Sequence, residues 1–223
     1  AGVAPDRLLV VPPFVDSIPE QATCASNLET PPPPYHLLAG RLARHKGIET
    51  AMAAARALTT PLPLVVAGAG PLESMVRDAA ERTPRRIFFA GWQERGGIAR
   101  LLRGARSLWL PSLWAEPFGI IGLEALSAGV PVIASDVGGV RDWLTHERHG
   151  LLVPPGDSTA LARAADGLAQ NPAQARDYGE AGRLAAAGAF EPTRIANTWA
   201  AILHAIATGS EGPPSLPFPV ELT

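Results

Sequence analysis

The sequence predicts an α/β protein built on a doubly wound parallel sheet. Short apolar runs such as Leu62–Gly68 and Val132–Ser135 are continuous rather than alternating, as strands covered on both faces are. These runs alternate with helix-like segments, the pattern of repeated β–α units. Arg41, Lys46, Glu116 and Gly138-Gly139 each follow a strand. They therefore fall on loops at one edge of such a sheet, where ligands of open α/β folds bind.

In chain order, Leu8–Val11 is a short strand candidate followed by Pro12-Pro13, and Pro31–Pro34 is a stiff proline run that marks the start of the main domain. Strands are expected over Tyr35–Gly40, Leu62–Gly68, Arg86–Gly91, Ser107–Pro111, Val132–Ser135 and Leu151–Val153. Helices are expected over Ile48–Leu58, Leu72–Arg82, Ile98–Arg103, Gly119–Ala128 and Val140–Leu144, then over Thr159–Gln170 and Ala173–Ala187 after the last strand. Thr193–Ile206 is a further amphipathic helix, with Ile195, Trp199, Ile202 and Ile206 spaced by four, three and four. The last fifteen residues contain four prolines and read as a flexible tail. No internal repeat occurs.

Composition narrows the function. The 223 residues are 47% hydrophobic and 18% charged, enough for a folded core. Nineteen basic against 21 acidic side chains leave no excess positive charge for nucleic acid, so a phosphorylated ligand must be met by a few placed cations. The single cysteine, Cys24, excludes an internal disulfide and suits a reducing cytoplasm. No apolar run is long enough to cross a membrane. The chain begins Ala-Gly-Val and reads as a fragment. No G-x-G-x-x-G follows the first strand, and neither a P-loop nor a G-x-S-x-G elbow occurs. His36, His45, His146, His149 and His204 lack metal spacing, and no Asp-x-Asp pair occurs, so a metal-independent site with no cofactor is expected.

The richest segment is Glu116-Pro117-Phe118-Gly119-Ile120-Ile121-Gly122-Leu123-Glu124. Pro117 and Gly119 put Glu116 in a loop and Glu124 inside the helix after it. A helix starting near Gly119 offers free N–H groups and a positive dipole end to phosphate. Glu124 lies about 7–8 Å further along the axis, roughly the reach from a nucleotide's phosphate to its ribose. The segment suits an activated sugar: Glu116 on sugar hydroxyls, the turn amides of Phe118, Gly119 and Ile120 on phosphate or sugar, Glu124 on the ribose. Fixed cations at Arg41 and Lys46 would stabilise the charge that builds on a departing diphosphate. Each residue also has a plainer reading. Arg41 and Lys46 can be solvated cations, Glu116 a turn carboxylate, Glu124 an ion-pair partner and Phe118 a core aromatic.

This segment resembles the E-x7-E motif of the retaining family 4 glycosyltransferases, glycosyl transferases group 1, which have the GT-B fold. Gly40-Arg41-Leu42-Ala43-Arg44-His45-Lys46-Gly47 resembles that family's G-R-L…K-G loop. The runs Ala125–Ser135, Gly138-Gly139-Val140 and Gly150–Asp157 resemble the family's segments C-terminal to the motif. Asp142 stands where the family more often has Glu. The resemblance covers about Arg7 to Ala205. It implies the C-terminal half of a GT-B fold: 1–34 an interdomain crossover and Pro-rich linker, 35–190 a Rossmann-like donor domain, 191–207 a return helix and 208–223 a tail. It implies a nucleotide-diphosphate sugar as partner, bound through Gly40, Arg41, Lys46, Trp92, Glu116, Phe118, Gly119, Ile120 and Glu124. Arg41, Lys46 and Glu116 would serve catalysis, with Glu116 positioning the sugar rather than acting as a general acid. Gly91-Trp92 would present backbone to the base; Trp92 is otherwise a partly buried aromatic. By the same resemblance a preceding acceptor-binding domain is missing from this chain, which alone would not complete transfer. The location would be cytoplasmic, or peripheral to a membrane through the missing domain. The apolar stripe of the last helix would then lack its cover, and the helix would either pair two chains as a homodimer or stay frayed. Two other readings stand beside this one: a free-standing nucleotide-sugar binding module, and an epimerase-type isomerase of sugar nucleotides.

Overall fold

The computed structural model describes residues 11–15 and 30–208. Six parallel strands form one sheet: β1 (Tyr35–Ala39), β2 (Leu64–Ala67), β3 (Ile87–Gly91), β4 (Ala105–Leu110), β5 (Val132–Ser135) and β6 (Gly150–Val153). Their spatial order is β3-β2-β1-β4-β5-β6, the order of a Rossmann sheet. Seven α-helices are present among the described residues: α1 (Ile48–Ala57), α2 (Glu73–Arg82), α3 (Arg95–Gly104), α4 (Ile120–Ser127), α5 (Ser158–Gln170), α6 (Pro172–Ala189) and α7 (Pro192–Thr208).

Successive strand side chains point to opposite faces, so continuous apolar strands feed two cores at once. Leu37, Val65, Leu108 and Val132 pack on one face with α3, α4 and the end of α6. Leu38, Leu64, Trp109 and Ile133 pack on the other with α1, α2 and α5. Both faces are covered, which is the doubly wound arrangement expected. Caps fix the later helices. Asp157 accepts from the Ala160 N–H at 2.8 Å to start α5. Asn171 accepts from the Gln174 N–H at 3.2 Å with Pro172 in the first turn of α6.

Several boundaries differ from expectation. β2 begins at Leu64 because the chain passes two prolines, and Pro63 contributes only its carbonyl, which accepts from the His36 N–H at 2.8 Å. α3 begins at Arg95 rather than Ile98. The helix runs through Gly96-Gly97, and the Gln93 side chain packs against Gly97 where a Cβ would otherwise sit. The helix expected over Val140–Leu144 is a 3-10 turn over Gly138–Asp142. Most of the expected Leu8–Val11 strand, the linker before residue 30 and the tail after residue 208 lie outside the described residues. Val11 itself is not in a strand.

The stripe on α7 is divided. Ile195 and Ile202 are buried with Thr198 between them, so they are not an uncovered surface. Trp199 and Ile206 are exposed, and Leu203 joins them at the i, i+4, i+7 spacing of one face. The helix thus carries a broad apolar arc, half of it inside.

Candidate functional site

The sheet order reverses between β1 and β4, and the loops leaving these two strands diverge from a crevice at their carboxyl ends. The β1 loop carries Gly40, Arg41 and, on a 3-10 turn over Arg44–Lys46, Lys46. The β4 loop carries Ser112, Trp114 and Glu116 before α4 begins. Gly47, at φ 69°, lets the first loop press against the second: a Cβ there would run into the Pro111 carbonyl. The Leu113 N–H donates to the His45 carbonyl at 2.8 Å and ties the loops together.

This closure brings Lys46 onto Glu116. The Lys46 amine donates to both carboxylate oxygens, to Oε1 at 2.9 Å and to Oε2 at 2.7 Å. Ser112 Oγ donates to Oε2 at 2.8 Å and Trp114 Nε1 at 3.2 Å. The Lys46 amine also lies 5.2 Å from the centre of the Trp114 ring, a cation–π contact. Glu116 is only 4% exposed, so its charge depends on these donors. Burial works to raise its pKa; the hydrogen bonds from Lys46 and Ser112, the Lys46 charge and the Trp114 hydrogen bond outweigh it and hold the carboxyl below its ordinary value. Its backbone is held as well. The Gly139 N–H donates to the Glu116 carbonyl at 2.8 Å, and Gly138 leaves no room for a Cβ against the Glu116 main chain.

A cavity of about 340 Å³ opens over this pair, lined by Gly40, Arg41, Lys46, Glu116, Phe118, Gly119 and Ile120. Gly119 caps α4, and Gly119, Ile120 and Ile121 at the start of that helix line the cavity. A second cavity of about 360 Å³ shares Gly40, Arg41 and Ile121 with the first and extends to Trp92. Together they make one groove running from β4 across β1 to β3. Trp92 is 66% exposed, so most of its ring faces the groove and solvent rather than the core. Phe118 both lines the cavity and packs edge-on against Phe190, ring centres 5.8 Å apart.

Eight of the nine expected site residues line this groove; Glu124 does not. It sits half-buried on α4, one turn past Ile121. Burial raises its carboxyl above the ordinary value, and the Arg95 guanidinium on α3 pulls the other way. The holders of Glu116, namely Ser112, Trp114 and Gly138-Gly139, were not among the expected site residues. Gly138-Gly139 was expected only at the ligand edge of the sheet, and nothing in the sequence marks Ser112 or Trp114 as holders of Glu116. Among the described residues no group of three or more His, Cys, Asp or Glu gathers as metal ligands, and no helix is long and apolar enough to cross a membrane.

A Rossmann-ordered parallel sheet with its groove at the switch point is the fold of GT-B glycosyltransferase domains, and solved structures agree. Sucrose-phosphate synthase from Thermosynechococcus elongatus superposes with a TM-score of 0.71 at 32% identity, covering 79% of this chain and 46% of that one. The Anabaena protein HepE, in complex with UDP and glucose, gives 0.69 at 22% identity over 77% of this chain and 48% of that one, a likeness of fold. Residues 21–185 match the family model of glycosyl transferases group 1, and the chain belongs to that family. It is 32% identical to glycogen synthase of Mycobacterium tuberculosis over 187 residues, 81% of this chain and 45% of that protein. The chain thus spans a little under half the length of these relatives.

Proposed function

We propose that this chain is the donor-binding half of a retaining, metal-independent glycosyltransferase that moves a sugar from a nucleotide-diphosphate sugar to an acceptor. The observation that carries the reading is the Lys46–Glu116 pair at the floor of a groove at the switch point. The groove supplies what such a donor needs in order along its length. Trp92 and the turn after β3 lie at the nucleotide end. Arg41, Lys46 and the first amides of α4 meet the diphosphate, and Glu116 meets the sugar. Charge growing on the departing diphosphate is stabilised by cations and amides fixed before the reaction begins. Glu116, held ionised by its donors, accepts hydrogen bonds from sugar hydroxyls and has no proton to give as a general acid. Glu124 takes the ribose hydroxyls from its place one turn beyond Ile121. A retained configuration is what the family resemblance implies. The names of the relatives, glycogen synthase and sucrose-phosphate synthase, point to a hexose as the transferred sugar. An acceptor-binding domain of similar size completes the enzyme and covers the exposed face of α7; without it this face pairs two copies of the chain.

The test is calorimetry of the chain with UDP, GDP and ADP, each with and without a hexose, in chelator. Binding of one diphosphate and its sugar form supports the reading. Binding of none of the six, or binding only after a divalent ion is restored, overturns it.

A further inference from the structure

The groove lies at the carboxyl ends of the strands. A separate cavity of about 370 Å³ opens at their amino ends, walled by the segment before β1, the α3–β4 junction, the loop before β5, and α6. Three of its lining side chains are Arg103, Arg106 and Arg176, and no carboxylate lines it. The net charge of the chain is −2, so this gathering is not part of a general basic field.

Arg106 and Arg176 are the informative pair. Arg106 is half-buried at the start of β4. Burial first, and then the charge of Arg176, lower its pKa from the ordinary guanidinium value; no carboxylate enters to offset them. Among the described residues neither side chain has an acidic partner. Two like charges lining one cavity repel, and an anion between them would relieve that repulsion. Guanidinium forks match phosphate oxygens in pairs, and the volume falls in the range of small-molecule sites. We propose that this amino-edge pocket binds a phosphomonoester dianion, gripped by Arg106 and Arg176.

The pocket is distinct from the donor groove. α4 begins beside Glu116 and leads into Gly129, which lines the amino-edge pocket, so the two sites occupy opposite ends of one helix. The proposal does not depend on what the groove binds.

The test uses inorganic phosphate and glucose 6-phosphate as probes, by calorimetry and by backbone amide shifts. Binding of either probe should move the Gly104 and Gly129 amides. The double variant Arg106→Gln/Arg176→Gln should weaken it by about tenfold or more. Lys46→Ala should leave it unchanged. Glucose 6-phosphate binding more tightly than phosphate identifies an ester as the ligand; equal binding identifies the bare anion. Either result supports the site. Both side chains reach solvent, so the variant should keep its circular dichroism and melting temperature. No binding of either probe at millimolar concentration, binding unaffected by the double variant, or binding lost with Lys46→Ala overturns the proposal.

Discussion

Lys46 and Glu116 lie seventy positions apart, yet the amine of one donates to both carboxylate oxygens of the other, at 2.9 and 2.7 Å. In the proposed reading, a diphosphate arriving in the groove would compete with Glu116 for the same amine, and Glu116 would keep Ser112 and Trp114 and gain acceptor capacity for sugar hydroxyls. Ser112→Ala removes one of the holders and should let the Glu116 pKa rise. We expect it to weaken the sugar-bearing donor by about 1 kcal/mol and the bare diphosphate much less. Calorimetry with both ligands reads the difference, and an equal loss for the two would dissolve the link between Ser112 and sugar binding.

The two carboxylates of the motif should separate by ligand. Glu116→Gln is expected to weaken only the sugar-bearing donor. Glu124→Gln should weaken donor and bare diphosphate alike, because the proposed reading gives it the ribose. Glu124 stands outside the groove wall, so the second half of this expectation is the more demanding. If Glu124→Gln leaves both affinities unchanged, its carboxylate is a structural partner of the Arg95 charge.

Acid should destabilise the fold in two separate windows. Burial depresses His36 from 6.5 to about 4, with Asp166 opposing and Arg106 adding to the shift. Because the folded pKa lies below the unfolded one, this contribution is complete above about pH 6.5. It is lost as pH falls to about 4, for a total of about 3 kcal/mol. Burial would raise Asp166, but Thr60 and Thr59 donate four hydrogen bonds to it, between 2.6 and 2.9 Å, and bring it from 3.8 to about 2. That contribution holds above about pH 4 and disappears toward pH 2. Urea unfolding at a series of pH values should show both slopes. His36→Asn should flatten the upper one and Asp166→Asn the lower; a stability flat from pH 7 to 4 would contradict the assignment to His36.

On α7 the inner and outer faces should respond differently. Ile195→Ala and Ile202→Ala should each cost about 2–4 kcal/mol, as buried aliphatic truncations do. Trp199→Glu should change stability by no more than about 0.5 kcal/mol, as an exposed substitution. It should also shift any self-association toward monomer in sedimentation. A large loss of stability on Trp199→Glu would place that face inside this domain.

The strand alternation and the residues at the ends of β1 and β4 were legible because each strand holds a short apolar run, and β1, β2, β3, β4 and β6 are closed by Gly or Pro. Their convergence was legible too, since a parallel sheet places every strand end on one edge. Contacts that depend on two loops closing on each other were not. The spacing of Ser112 and Trp114 from Glu116 carries no signal until Gly47 presses the β1 loop against Pro111. Nor does periodicity assign an apolar arc to inside or outside: the same spacing carries buried Ile195 and exposed Trp199.

The central claim is that Lys46 holds the diphosphate of a donor whose sugar rests on Glu116. It is tested most directly by measuring the nucleoside diphosphate that binds best, and its bare nucleoside, against the chain and its Lys46→Ala variant. Charge-assisted hydrogen bonds of this kind contribute about 1.5–3 kcal/mol, so the diphosphate should lose that much while the nucleoside is unchanged. Equal losses for both ligands, or no loss for the diphosphate, would contradict the account.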